Sequence, residues 1–215
     1  MERYAGRRCH FSRIWAFSMK QLIWFALSMM LIAPAVAMAK HDHAYAGNGL
    51  ADTTVMIIRH AEKPDSGPGL TPEGEARARA YVKYFQHFTV DGQPMTPNAL
   101  YATADSKSSM RPRLTIEPLS QALGLPIDDR FADKQTRDIA DALRAKTHGN
   151  HVLISWHHEE IPKLIRDLGG DSAALIPGDK WPSDVFGWVV VLRYDHEGRL
   201  AGSQVIHEHL MPDDH

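Results

Sequence analysis

Cysteine is almost missing from this chain: its 215 residues hold a single one, Cys9. Neither a disulfide framework nor a thiolate metal site can be built from that. An excess of one charge is missing too, since 24 Lys and Arg face 26 Asp and Glu for a formal net charge of -2. That balance argues against a nucleic-acid partner, which calls for a basic surface. The longest apolar run, Leu22 to Ile32, falls short of the roughly 20 residues that span a bilayer, and Pro34 interrupts its end. No internal repeat and no low-complexity tract is present.

What is there begins with that apolar run. Met19-Lys20 leads into it, and Ala37-Met38-Ala39 closes it with small residues, the layout of a cleaved export signal. Residues 1–39 are therefore expected to be a signal peptide, with export to a periplasm or the medium and no stable membrane insertion after cleavage. Met19 is itself a serviceable start, which would leave residues 1–18 as an untranslated extension. Cleavage also removes Cys9. Residues 40–51, with His41 and His43, read as a flexible lead-in. Residues 52–210 are long enough for one α/β domain with its own core.

Within that domain, Thr53 to Ile58 is an uninterrupted β-branched and apolar run, as in a strand buried on both faces. It delivers Arg59-His60-Ala61-Glu62-Lys63-Pro64 at its C-terminal end, where open α/β sheets place ligands. Thr71 as N-cap, Pro72 in the first turn and Glu73 and Glu75 behind it start a helix that runs to about His87. It is expected to carry Ala76, Ala80, Val82, Tyr84 and Phe85 inward. A second strand is expected over 98–104. A helix capped by Ser109 comes next, starting near Arg111 and bent or restarted at Pro118. Residues 125–134 read as loop, and 136–145 as a polar helix. A third buried strand, 151–155, ends in Trp156-His157-His158-Glu159-Glu160, and an amphipathic helix starts at Ile161-Pro162. Closing strands are expected over 185–192 and 200–208. Arg111 falls at a helix N-terminus, where guanidinium and backbone N–H groups can share an anion. A surface arginine paired with Asp105 is the alternative.

Three of these segments carry a resemblance. Arg59-His60-Ala61-Glu62 resembles the Arg-His-Gly-Glu signature of the histidine phosphatase (phosphoglycerate mutase-like) superfamily. Ser106 to Thr115 resembles its second element, an arginine followed four residues on by threonine, and Ser155 to Pro162 resembles its late strand-end histidine. The resemblance implies a single three-layer α/β/α domain with a mostly parallel sheet and the site above the strand ends. Taken with the leader, it also implies an exported phosphatase hydrolysing a small phosphorylated substrate through phosphohistidine, with no metal or other cofactor. His60 is then the nucleophile, and Arg59 and Arg111 hold phosphoryl oxygens. Forms of the family with Trp-x-His make His158 the second catalytic histidine, leaving His157 as a wall or phosphate contact. Glu159, where the family usually has glycine, is the first candidate for the general acid, and Asp133 the second. Lys63 and Ser66 are possible further phosphate contacts. The rival reading is a periplasmic metal- or phospholigand-binding pseudophosphatase without turnover. His41, His43, His157, His158, His207 and His209 suggest it, but the absence of a His-x-x-x-His pair weakens it.

Overall fold

The computed structural model describes residues 49–146, 148–212 and 214. The expected signal peptide, and the lead-in as far as Asn48, lie outside them. A six-stranded sheet has the order β5-β4-β6-β1-β7-β8. Its strands are β1 (Thr54–Arg59), β4 (Ala99–Thr103), β5 (Ile127–Phe131), β6 (His151–Trp156), β7 (Trp188–Tyr194) and β8 (Leu200–His207). Strands β5, β4, β6 and β1 pair in parallel, and β7 is antiparallel to both neighbours. A separate hairpin pairs β2 (Thr89–Val90) with β3 (Gln93–Pro94). It turns through Asp91 and Gly92, both at positive φ, as an Asp-Gly pair between strands favours.

The sheet is mostly parallel, and helices cover both of its faces. On one side α1 (Pro72–Gln86) and α2 (Arg111–Leu123) bring Tyr81, Phe85, Ile116 and Leu119 onto Met56, Ile58, Leu153 and Val189. On the other, α3 (Thr136–Ala145) and α4 (Ile161–Asp167) bring Ile139, Leu143, Leu164 and Ile165 onto Val55, Ile57, Val152 and Val190. A short helix, α5 (Ser172–Leu175), comes after them. Alternate residues of β1 therefore serve two cores, and all six are buried. Each fully buried Ile or Val contributes about 1.5–3 kcal/mol, so this strand anchors both layers. No described helix is long and apolar enough to cross a membrane.

Several expectations are corrected. The inward face of α1 holds Arg77, Ala78, Tyr81 and Phe85, while Ala76, Ala80, Val82 and Tyr84 are half-buried. Arg77 lies inward against the buried carboxyl groups of Glu208 and Asp214. Pro118 does not restart α2, which runs on through it with Ile116 and Leu119 fully buried on either side. The cap residue there is Met110, and Ser109 Oγ only accepts a 3.4 Å bond from the Arg111 N–H. Residues 127–131 form an edge strand, where Asp128, Asp129 and Arg130 are acceptable because one side is unpaired. Strand β7 starts at Trp188 rather than Val185, whose carbonyl is taken by side chains. Residues outside 52–210 also join the packed structure. Leu50 is buried in the core, Gly49 N–H donates to the Arg144 carbonyl, and Asp214 is bound at the other end.

Candidate active site

The parallel pairing fixes where the chemistry falls. Arg59 pairs with Trp156 and Ala102 with Ser155, so the ends of β1, β6 and β4 lie level. Just beyond them stand His60, His157 and Ala104. Together with Arg111, Asp133, His158, Glu159, Lys63 and the serines 106, 108 and 109, they line one cavity of about 550 Å³.

His60 is 3 % exposed, and its Nδ1 donates to the Ala61 carbonyl at 2.7 Å. A carbonyl can only accept, so Nδ1 carries the proton and Nε2 the lone pair. Burial pushes the imidazole pKa down to about 2, with the positive groups around it adding to the effect. The ring is therefore neutral at any ordinary pH. Its backbone is held as firmly: His60 N–H donates to the Trp156 carbonyl, and Ala61 N–H to Thr115 Oγ1 at 2.8 Å. Thr115, one turn beyond Arg111, donates in turn to the Arg111 carbonyl. That is the structural content of the Arg-x-x-x-Thr spacing.

The ring that meets His60 is His157, edge-on at 5.3 Å between centroids. His158, favoured from the sequence, lines the same cavity but makes no such contact. The reason is the strand end itself: Trp156 is the last residue of β6, so His157 is the first free of the ladder beside His60. Burial, with Arg111 next, lowers His157 to about 4, and its Nε2 is buried without a partner. His158 is lowered as well, by burial and then Arg59.

The two arginines separate. Arg111 stands on the cavity wall, its Nη1 donating to the carbonyls of Gly67 and Ser108 and its Nε buried and unpartnered. Asp105 does not take it, being paired with Arg113 at 2.9 Å. Arg59 is off the wall. Its Nη1 donates to the Ser183 and Val185 carbonyls at 2.8 and 2.9 Å, and Phe186 covers the guanidinium at 3.8 Å. Desolvation brings its pKa to about 10, so it stays charged. Its Nε, like that of Arg111, is buried and unpartnered. Ser66 is also absent from the wall. The chain turns at Gly67, φ 97°, and it is the Gly67 carbonyl that meets Arg111. Ser106, Ser108 and Ser109, given no phosphate-binding role from sequence, stand on the wall instead.

Of the two acid candidates, Glu159 is exposed. Asp133 is half-buried, its backbone carbonyl held by the Trp156 indole at 3.0 Å and its Oδ1 buried and unpartnered, 3.9 Å from His157 Nδ1. Burial, then Glu160 and Glu159, raise it to about 6. The signal that could have promoted it is position, since it lies just past an edge strand beside β4. Among the described residues no group of three or more His, Cys, Asp or Glu is arranged to hold a metal ion.

No protein-family model and no curated protein matches the chain. Solved structures resemble it. One is the SixA protein of Agrobacterium tumefaciens, assigned as a phosphohistidine phosphatase, at 20% identity over 71% of this chain and 97% of that one, with TM-score 0.47. Another is the protein histidine phosphatase SixA complexed with tungstate, at 17% identity over 70% and 96%, with TM-score 0.43. A third is phosphoglycerate mutase from Plasmodium falciparum, at 15% identity over 76% and 96%, with TM-score 0.47.

Proposed function

We propose that the chain is a phosphatase of the histidine type, transferring the phosphoryl group of a monoester to His60 and then to water. The observation that carries this reading is a neutral, buried His60 whose Nδ1 is committed, beside buried nitrogens that have no partner, Arg59 Nε, Arg111 Nε and His157 Nε2. A lone pair on Nε2 can attack phosphorus in line while fixed donors hold the equatorial oxygens. Unpaired buried donors are costly and mark a place built for an anion.

In the first half the Nε2–P bond forms, the P–O bond to the leaving group breaks, and the leaving oxygen takes a proton from Asp133. In the second half Asp133, now ionised, takes a proton from water as the water oxygen attacks phosphorus and His60 leaves. A carboxyl raised to about 6 can serve both steps near neutral pH. His157 donates from Nε2 to the developing charge. Arg59 adds positive charge beside the nucleophile, and Glu159 and His158 remain contacts for the rest of the substrate. None of these steps calls for a metal.

The test is hydrolysis of an aryl phosphate by residues 40–215 in excess chelator, wild type beside His60→Ala. Turnover that survives chelation and is lost in the variant supports the reading; turnover that survives in the variant removes His60 from the mechanism. Export is proposed from the leader alone and is checked by N-terminal sequencing of the envelope fraction, with Lys40 as the expected first residue.

A further inference from the structure

The stretch after β8 is more than a tail. Arg77, buried on the inner face of α1, donates from Nε and Nη2 to Glu62 Oε1 at 3.0 and 2.7 Å. It is also bidentate to Asp214, from Nη1 to Oδ2 at 3.0 Å and from Nη2 to Oδ1 at 2.6 Å. Glu208 closes the cluster, 3.5 Å from Arg77 Nη1 and accepting from Tyr81 at 3.0 Å. Burial alone would weaken the Arg77 charge, but the bonds to Asp214 and Glu62 outweigh it and hold the guanidinium firmly protonated. Asp214 is itself fixed, taking the N–H groups of Leu210 and Met211 at 2.8 Å each.

The cluster reaches the nucleophile through one peptide unit. The Ala61 carbonyl that accepts from His60 Nδ1 belongs to the peptide joining Ala61 to Glu62. Ala61 N–H is anchored by Thr115 and the Glu62 carbonyl by Thr71 N–H. The Glu62 side chain is anchored by Arg77. We propose that Arg77, clamped by the C-terminal Asp214, is a positioning residue that fixes the Ala61–Glu62 peptide and thereby holds His60 as the Nδ1–H tautomer. This inference rests on the reading of His60 as nucleophile, but the tautomer itself can be read without turnover.

A second structural detail supplies a second variant. A Cβ on Gly187 would lie 2.8 Å from Asp214 Cγ and Oδ1 and would meet nothing else as close. Gly187 lies outside the left-handed region, so alanine is acceptable to its backbone. Gly187→Ala should therefore evict the Asp214 carboxylate without removing a charge. Asp214→Asn weakens the same clamp by replacing one acceptor with a donor that faces Arg77. The control is Tyr194→Phe, which removes a buried 2.8 Å bond to the Leu168 carbonyl in the opposite core.

Long-range ¹H–¹⁵N spectra of His60 in the full domain, in all four proteins, give the first readout, and steady-state kinetics on an aryl phosphate the second. Wild type and Tyr194→Phe should show Nδ1–H alone. Both clamp variants should show mixed tautomers, and kcat about ten-fold down at nearly unchanged KM, since a misplaced nucleophile is lost from the transition state rather than from binding. If the clamp variants keep Nδ1–H alone, or the control also mixes, the proposal fails. If tautomers mix as expected while wild type hydrolyses no phosphate ester, the positioning role stands and the phosphatase reading falls.

Discussion

Thr115→Val should separate the fold's hold on the nucleophile from its chemistry. The two side chains have nearly the same shape, and Thr115 is fully buried, so the change opens no cavity. What it removes is the acceptor of the 2.8 Å bond from Ala61 N–H, together with the bond to the Arg111 carbonyl. A buried N–H left without a partner costs about 1–3 kcal/mol. For a domain of this size a loss of about 2 kcal/mol lowers Tm by roughly 4–8 °C. The freed peptide is the one beside His60, so kcat should fall as well. Thr115→Ser keeps the hydroxyl and loses about one methyl group, roughly 1 kcal/mol, and should retain most of the activity. Urea unfolding and initial rates on the three proteins decide the matter. A valine variant within about 0.5 kcal/mol of wild type, or a serine variant as damaged as valine, would refute the argument.

Three further outcomes rest on the same geometry. The acid form of Asp133 is populated below about pH 6, so kcat/KM for a poor leaving group should be level below that pH and fall about ten-fold per unit above it; Asp133→Asn should remove that limb and cost about 10²–10⁴ in rate. His157→Ala should cost about 10²-fold or more in kcat, whereas His158→Ala should act chiefly on KM; equal losses in kcat would return His158 to the centre. Gly74→Ala places a Cβ 2.5 Å from the Glu62 carbonyl oxygen, an overlap with backbone that should destabilise by about 1–3 kcal/mol in urea titrations; a neutral result would mean that α1 and the motif loop are not in fixed contact.

Much of this was legible in the sequence, for identifiable reasons. Strand β1 was visible because burial on both faces demands an unbroken apolar run, and α1 because Thr71 and Pro72 mark its start by local rules. The place of His60 was visible because it stands directly after that strand, and that of Arg111 because Pro112 behind it is tolerated in a first helical turn. Which of His157 and His158 stands against His60 was not, because it depends on which residue β6 keeps in its ladder. Arg59 was visible beside His60 in sequence, but not that its Nη1 is held by carbonyls more than 120 residues away. The inward face of α1 was missed for a similar reason. Burial of Arg77 makes sense only once Asp214 and Glu208 come back from the end of the chain. Asp133 read as loop chemistry because its edge strand carries charges that mask the strand pattern.

The central claim is that phosphorus passes through His60 Nε2. Its most direct test is rapid quenching of the domain with a phosphate ester under alkaline conditions, and then mass spectrometry of the peptide spanning Thr54 to Lys63. The account predicts one added phosphoryl group on His60, formed at least as fast as turnover, lost on mild acid treatment and absent from His60→Ala. Turnover with no phosphoryl group on that peptide, or with one on His157 or His158 instead, would contradict it.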